Sequence, residues 1–90
     1  MLTRRHLYFS GLVQGVGFRF TVRSLAKRYR LKGWVKNIPD GRVEAEIEGD
    51  TGRINEFMDD LKREFSYNIK EAKQEKLSTL ARYEDFQIIL

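Results

Sequence analysis

Cysteine is absent from this chain of 90 residues. That removes a disulfide framework and any thiolate metal site. Histidine occurs once, as His6, which argues against a histidine-built metal centre. No apolar run has the form of a signal peptide or the length of a membrane span, so the expectation is a soluble, cytoplasmic protein with no membrane partner. Linkers, repeats and low-complexity segments are missing as well, and 90 residues suit one domain, 1–90. Proline occurs once, at Pro39. Acidic residues are nearly absent from the first half: residues 1–42 hold ten Lys/Arg and one acid, Asp40, whereas residues 43–90 hold seven Lys/Arg and twelve acids. A net charge of +9 against −5 points the first half towards an anionic partner.

What is present is strong periodicity. His6 to Val13 alternates, with Leu7, Phe9, Gly11 and Val13 on one face, so it reads as a strand. Phe18, Val22, Leu25, Ala26 and Tyr29 recur at helical spacing opposite Arg23, Lys27, Arg28 and Arg30, so an amphipathic helix should end near Arg30. Leu31 to Asn37 reads as a second strand. Ile38-Pro39-Asp40-Gly41 is a turn, with proline presetting its second position and glycine closing it. Arg42 to Gly49 alternates again, with Val43, Ala45 and Ile47 inward and Glu44, Glu46 and Glu48 outward. Asp50 or Thr51 can cap a second helix, whose stripe is Ile54, Phe57, Met58, Leu61 and Phe65. Ile69 to Leu77 reads as a polar edge strand, against which its Lys/Glu content offers a helix. Tyr83 to Leu90 reads as a last strand. The order β-α-β-β-α-β predicts an α+β, ferredoxin-like sandwich: an antiparallel sheet with the third strand between the first two, two helices on one face and the other face open.

The stretch Gln14-Gly15-Val16-Gly17-Phe18-Arg19 joins the first strand to the first helix. A cation at a helix N-terminus faces unpaired N–H groups and the positive end of the helix dipole, which is unfavourable. An anion held between the arginine and those N–H groups removes the conflict. Asn37 ends the second strand, which the topology runs parallel to the first. The loop and Asn37 therefore reach the same edge of the sheet, two strand spacings or about 10 Å apart.

Gly11-Leu12-Val13-Gln14-Gly15-Val16-Gly17-Phe18-Arg19, followed by Lys32-Gly33-Trp34-Val35-Lys36-Asn37 and Asp40-Gly41-Arg42-Val43-Glu44, resembles the acylphosphatase family. The match is dense from about residue 11 to residue 49. The resemblance implies an enzyme that hydrolyses acyl phosphates to a carboxylate and phosphate, with no metal and no cofactor. Arg19 then binds the phosphoryl group and Asn37 positions the attacking water. Residues Gln14, Gly15, Val16, Gly17 and Phe18 form the phosphate-binding loop. The partner is a small acyl phosphate, with inorganic phosphate as product and inhibitor and no nucleic acid. The protein is expected to be a monomer.

The residue types suit that chemistry. A carboxylate leaves readily, so the enzyme's work is positioning and charge stabilisation at phosphorus. Two glycines let the loop backbone approach phosphate oxygens. Arginine offers a planar fork of donors, and asparagine offers an acceptor and a donor at every working pH. Each residue alone admits a plain role: a tight turn, a surface arginine, a strand-ending asparagine. Their joint occurrence at the family's spacing favours the catalytic reading. Two other functions compete with it. An RNA-recognition-like nucleic-acid-binding module shares the topology, but Glu44, Glu46 and Glu48 would repel phosphate. A non-catalytic acylphosphatase-like interaction domain is opposed by the presence of both Arg19 and Asn37. Two departures from the family pattern stand out. Arg30 occupies the usual glycine position at the helix exit, at a cost of about 1 kcal/mol if the chain stays left-handed there. Leu12 replaces a commonly basic residue.

Overall fold

The structure, a computed structural model, describes residues 1–90. Strand β1 (Leu2–Gly11) leads through the glycine loop into helix α1 (Phe18–Arg28). Strands β2 (Lys32–Asn37) and β3 (Val43–Asp50) form the hairpin, followed by α2 (Thr51–Glu64), β4 (Ile69–Leu77) and β5 (Phe86–Ile89). The five strands make one sheet in the order β4-β1-β3-β2-β5. β3 lies between β1 and β2 as the topology predicts, and the polar run 69–77 is an edge strand, not a helix. The sheet departs from a fully antiparallel one at its last strand: β5 pairs parallel with β2, from Gly33↔Phe86 to Lys36↔Ile89. The last strand is also shorter than the run 83–90, because Tyr83 is drawn off to the open face.

Period-two alternation decides which side chains the helices cover. Leu7, Phe9, Val35, Val43, Ala45 and Ile47 are fully buried on one face. Phe18, Val22, Leu25 and Ala26 of α1 and Ile54, Phe57, Met58 and Leu61 of α2 pack onto them in one cluster. Phe18 is the anchor nearest the glycine loop. Its ring meets Phe9 edge-on at 5.1 Å and Phe65 at 4.9 Å. A buried phenylalanine contributes roughly 1.5–3 kcal/mol. This one also fixes the first residue of α1 over the end of β1.

Both helices end as their sequences dictate. Asp50 caps α2 by accepting from the Arg53 N–H at 3.3 Å. At the exit of α1, Leu31 N–H donates to the Ala26 carbonyl and Arg30 N–H to that of Lys27. This is a Schellman closure. It requires a left-handed residue, and Arg30 adopts φ 58° in place of a glycine. The turn conformation is therefore kept despite the substitution.

The centre of the other face is only partly solvated. Glu44, Glu46 and Glu48 point away from the helices, as the alternation predicts, but they are buried or half-buried. His6 is half-buried between two of them. Its Nδ1 lies 2.7 Å from Glu46 and its Nε2 2.7 Å from Glu44; a neutral imidazole can donate to only one of them. Tyr8 donates to Glu44 and Tyr83 to Glu46. The N–H groups of Ala81 and Tyr83 donate to Glu48 at 2.6 and 3.1 Å. The segment before β5 thus folds over the end of β3, which the sequence alternation does not encode.

Candidate active site

The site forms where β1 and β2 both end. Phe9 pairs with Val43, and Val43 with Asn37, so the three residues form one row across the sheet. The chain leaves β1 two residues beyond that row. There the pairing of β1 with β4 shifts register between Ser10 and Gly11. A Cβ on Gly11 would overlap the Asn68 carbonyl oxygen, so glycine lets the 66–68 turn close on the strand end. The turn is then tied to Leu12: Leu12 N–H donates to Asn68 O at 2.8 Å, and Asn68 Nδ2 donates to Leu12 O at 3.1 Å.

Beyond Leu12 the backbone turns outward. Gly15 and Gly17 hold φ of 76° and 79°, and Gly17 is the N-cap of α1 in the left-handed region. A Cβ at either would meet nothing, so the requirement for glycine comes from the dihedral angle and not from space. No side chain caps the helix, and its first turn holds no acid. The first backbone bond into the helix is Thr21 N–H to Gly17 O. The N–H groups from Gly15 to Phe20 consequently donate to no backbone carbonyl and no side chain. A run of uncommitted N–H groups at a helix start forms an electropositive cradle.

Arg19 follows in the first turn. It is half-exposed and takes part in none of the protein's ion pairs. Asn37 lies on the helix-covered face, since it shares parity with buried Gly33 and Val35. Its Oδ1 is buried and has no hydrogen-bond partner. An unsatisfied buried carbonyl costs about 1–3 kcal/mol, and such a cost in a folded protein calls for a functional reason. The site therefore offers donors with no acceptor, a cation with no anion and an acceptor with no donor. No group of three or more His, Cys, Asp or Glu side chains converges to hold a metal ion anywhere in the chain.

The predicted residues do not all contribute in the same way. Gly15, Val16 and Gly17 form the exposed crest of the loop. Phe18 offers the loop only its N–H, because its ring is in the core. Gln14 is a strut. Its Nε2 donates to the carbonyls of Ile38 at 2.8 Å and Arg42 at 2.9 Å. Those residues flank the β2–β3 turn immediately after Asn37, which Ile38 N–H closes onto Arg42 O at 3.0 Å. Gln14 thus fastens the glycine loop to the end of the strand that carries Asn37. Sequence reading missed this role, since partners 24 and 28 residues away leave no local signal. Asn68 was missed for the same reason.

The turn itself is stiffened by Asp40, which accepts from the Arg42 N–H at 3.0 Å and from Arg42 Nε at 2.8 Å. The backbone N–H of Arg42, followed by its guanidinium, holds the Asp40 carboxyl below its ordinary range despite some desolvation. The one acid near the site is in this way matched to a cation of its own turn.

A ferredoxin-like sandwich with an anion-receptive strand-to-helix turn is the class of domain these features define. The family comparison is specific: the acylphosphatase family model matches residues 5–88, and the chain belongs to that family. It is 39% identical to an acylphosphatase of Syntrophus aciditrophicus over 99% of this chain and 94% of that one. It is 53% identical to an acylphosphatase of Chlorobaculum tepidum over a segment that spans 61% of this chain and 60% of that relative. The crystal structure of acylphosphatase from Bacillus subtilis superposes with a TM-score of 0.91 at 35% identity, covering the whole of both chains. No helix is long and apolar enough to cross a membrane.

Proposed function

We propose that the chain hydrolyses acyl phosphates by attack of water on phosphorus, with the phosphoryl group held by the loop N–H groups and Arg19 and the water held by Asn37. Family membership supports the reaction. The single observation that supports these residue roles is the coincidence, at one sheet edge, of unengaged N–H groups from Gly15 to Phe20 and the partnerless Asn37 Oδ1.

The substrate dianion RCO–OPO3 lies with its phosphoryl oxygens on the loop N–H groups and the Arg19 fork. Asn37 Oδ1 accepts a hydrogen bond from one O–H of the attacking water and so aims the water's lone pair at phosphorus, that O–H staying with the oxygen that bonds to phosphorus. The water oxygen bonds to phosphorus as the bond to the acyl oxygen breaks, and the carboxylate leaves with that electron pair. The second proton passes to a phosphoryl oxygen, giving RCOO− and H2PO4−. Charge and atoms balance without an enzyme base, which suits an asparagine that cannot titrate. Arg19 and the N–H groups are fixed before reaction, so they stabilise the charge developing on the equatorial oxygens without reorganisation.

Hydrolysis of benzoyl phosphate with EDTA present tests the reading. Wild type should turn over. Arg19→Ala should lose roughly 10³-fold in kcat/KM, and Asn37→Ala a comparable factor mainly in kcat. Folded variants with wild-type rates would falsify both roles.

A further inference from the structure

The acyl half of the substrate must leave the loop outward, so the residues around the loop decide which acyl groups fit. Large hydrophobic side chains that remain exposed in this protein are few. Apart from the first two residues and the last two, they are Leu12 at 66%, Val16 at 36%, Phe20 at 60% and Tyr67, which is fully exposed. All four lie in or beside the same loop, three by their place in the chain and Tyr67 through its neighbour Asn68. Leu12 closes β1, Val16 stands between the two loop glycines and Phe20 follows Arg19 in the first turn of α1. Tyr67 precedes Asn68, which binds Leu12 through two hydrogen bonds.

Isolated exposed apolar residues are ordinary, but a grouping confined to one opening marks a binding surface. Asn68 is bonded to Leu12, and the Arg23 guanidinium lies 5.6 Å from the centre of the Phe20 ring. No acid lies in residues 1–39 to receive an amino group on the substrate.

We propose that Leu12, Val16, Phe20 and Tyr67 form the acyl subsite, and that it selects acyl phosphates with a bulky apolar acyl group over acetyl or carbamoyl phosphate. The inference rests on the acylphosphatase reading and deepens it. Binding lays the acyl group against the rim and removes apolar surface of both partners from water. At about 25 cal/mol per Å², partial cover of one aromatic ring yields a preference on the order of tenfold, not the larger factor of a closed pocket.

Benzoyl and acetyl phosphate differ in intrinsic reactivity, so the informative quantity is how their kcat/KM ratio changes on substitution. In the double variant Leu12→Ser/Phe20→Ser that ratio should fall about five- to tenfold, chiefly through KM for benzoyl phosphate. Leu2→Ser, at an equally exposed leucine (62%) at the far end of β1, should leave it within twofold. A second measurement needs no variant: phenylphosphonate should inhibit wild type about tenfold more tightly than methylphosphonate. A ratio unmoved in the double variant, or equal inhibition by the two phosphonates, overturns the subsite while leaving the hydrolase reading intact. Failure of wild type to hydrolyse either acyl phosphate removes the hydrolase reading, and the subsite with it.

Discussion

The two faces of the sheet treat polar groups in opposite ways. On the open face the side chains of His6, Glu44 and Glu46 meet donors or acceptors from neighbouring strands, and Arg4 lies 3.7 Å from Glu46. The N–H groups of the glycine loop and, at the same sheet edge on β2, the buried Asn37 amide oxygen bond to nothing in the protein, and the Arg19 guanidinium pairs with no acid. The open-face carboxylates and the Asn37 Oδ1 are partly or fully buried, so each would be costly if left unsatisfied. A network largely completed within the chain, with only the Arg4 Nε left without a partner, serves stability. One left incomplete waits for a ligand, and its cost is offset only when that ligand binds.

Substitutions should separate the two regions. The largest effect outside the phosphate-binding groups themselves is expected at Gln14. Gln14→Ala frees the glycine loop from the β2–β3 turn, and kcat/KM should fall on the order of 10- to 100-fold through misplacement of Arg19 relative to Asn37. Gln14→Glu should be as damaging, because a carboxylate would face the carbonyls of Ile38 and Arg42. Steady-state kinetics on benzoyl phosphate, alongside urea unfolding, checks that the loss exceeds any change in stability.

His6→Ala should show the reverse pattern. It removes the imidazole that lies between Glu44 and Glu46, and should cost about 1–3 kcal/mol of stability by urea unfolding while activity stays within twofold. Acid should act on the same network. Burial alone would raise the Glu46 carboxyl, but the hydrogen bonds from Tyr83 and His6 and the charge of Arg4 outweigh it and hold the group below its ordinary value. A carboxyl lowered on folding contributes stability that is complete above its unfolded value and is lost as pH falls through the folded one. The urea midpoint should therefore hold steady down to the ordinary glutamate value of 4.5 and decline below it, with a shallower decline in Glu46→Gln.

The smallest effect is expected at neither region. Arg30→Gly relieves a left-handed arginine at the exit of α1 and should raise stability by up to about 1 kcal/mol, with no change in rate.

Much of this architecture was legible in the sequence because it is written in local periods. Alternation placed Phe9, Val43 and Val35 inward, and helical spacing placed Phe18, Val22 and Leu25. The turn chemistry of Pro39-Asp40-Gly41 fixed the hairpin, so the glycine loop and Asn37 could be brought to one edge from topology alone. What was not legible depends on register between distant strands. Glu44 and Glu46 alternate as if solvated. Only the pairing of β1 with β3 shows that His6 stands against Glu46, and only the return of the chain at Ala81 and Tyr83 covers Glu48. Gln14 looked like part of the phosphate loop because it adjoins it. Its carboxamide instead reaches a turn that sequence distance hides. The parallel pairing of β5 with β2 was hidden similarly, since a four-residue strand carries no mark of its neighbour.

The central claim is that the N–H groups from Gly15 to Phe20 lack protein partners because a phosphoryl group supplies them. Titration of the ¹⁵N-labelled protein with inorganic phosphate tests it most directly. The account predicts saturable shifts in the amides of Gly15 to Phe20 and in the side-chain amide of Asn37, with Glu44, Glu46 and Glu48 unmoved, and loss of the response in Arg19→Ala. Phosphate that leaves the loop amides unshifted, or that shifts the open face in their place, contradicts it.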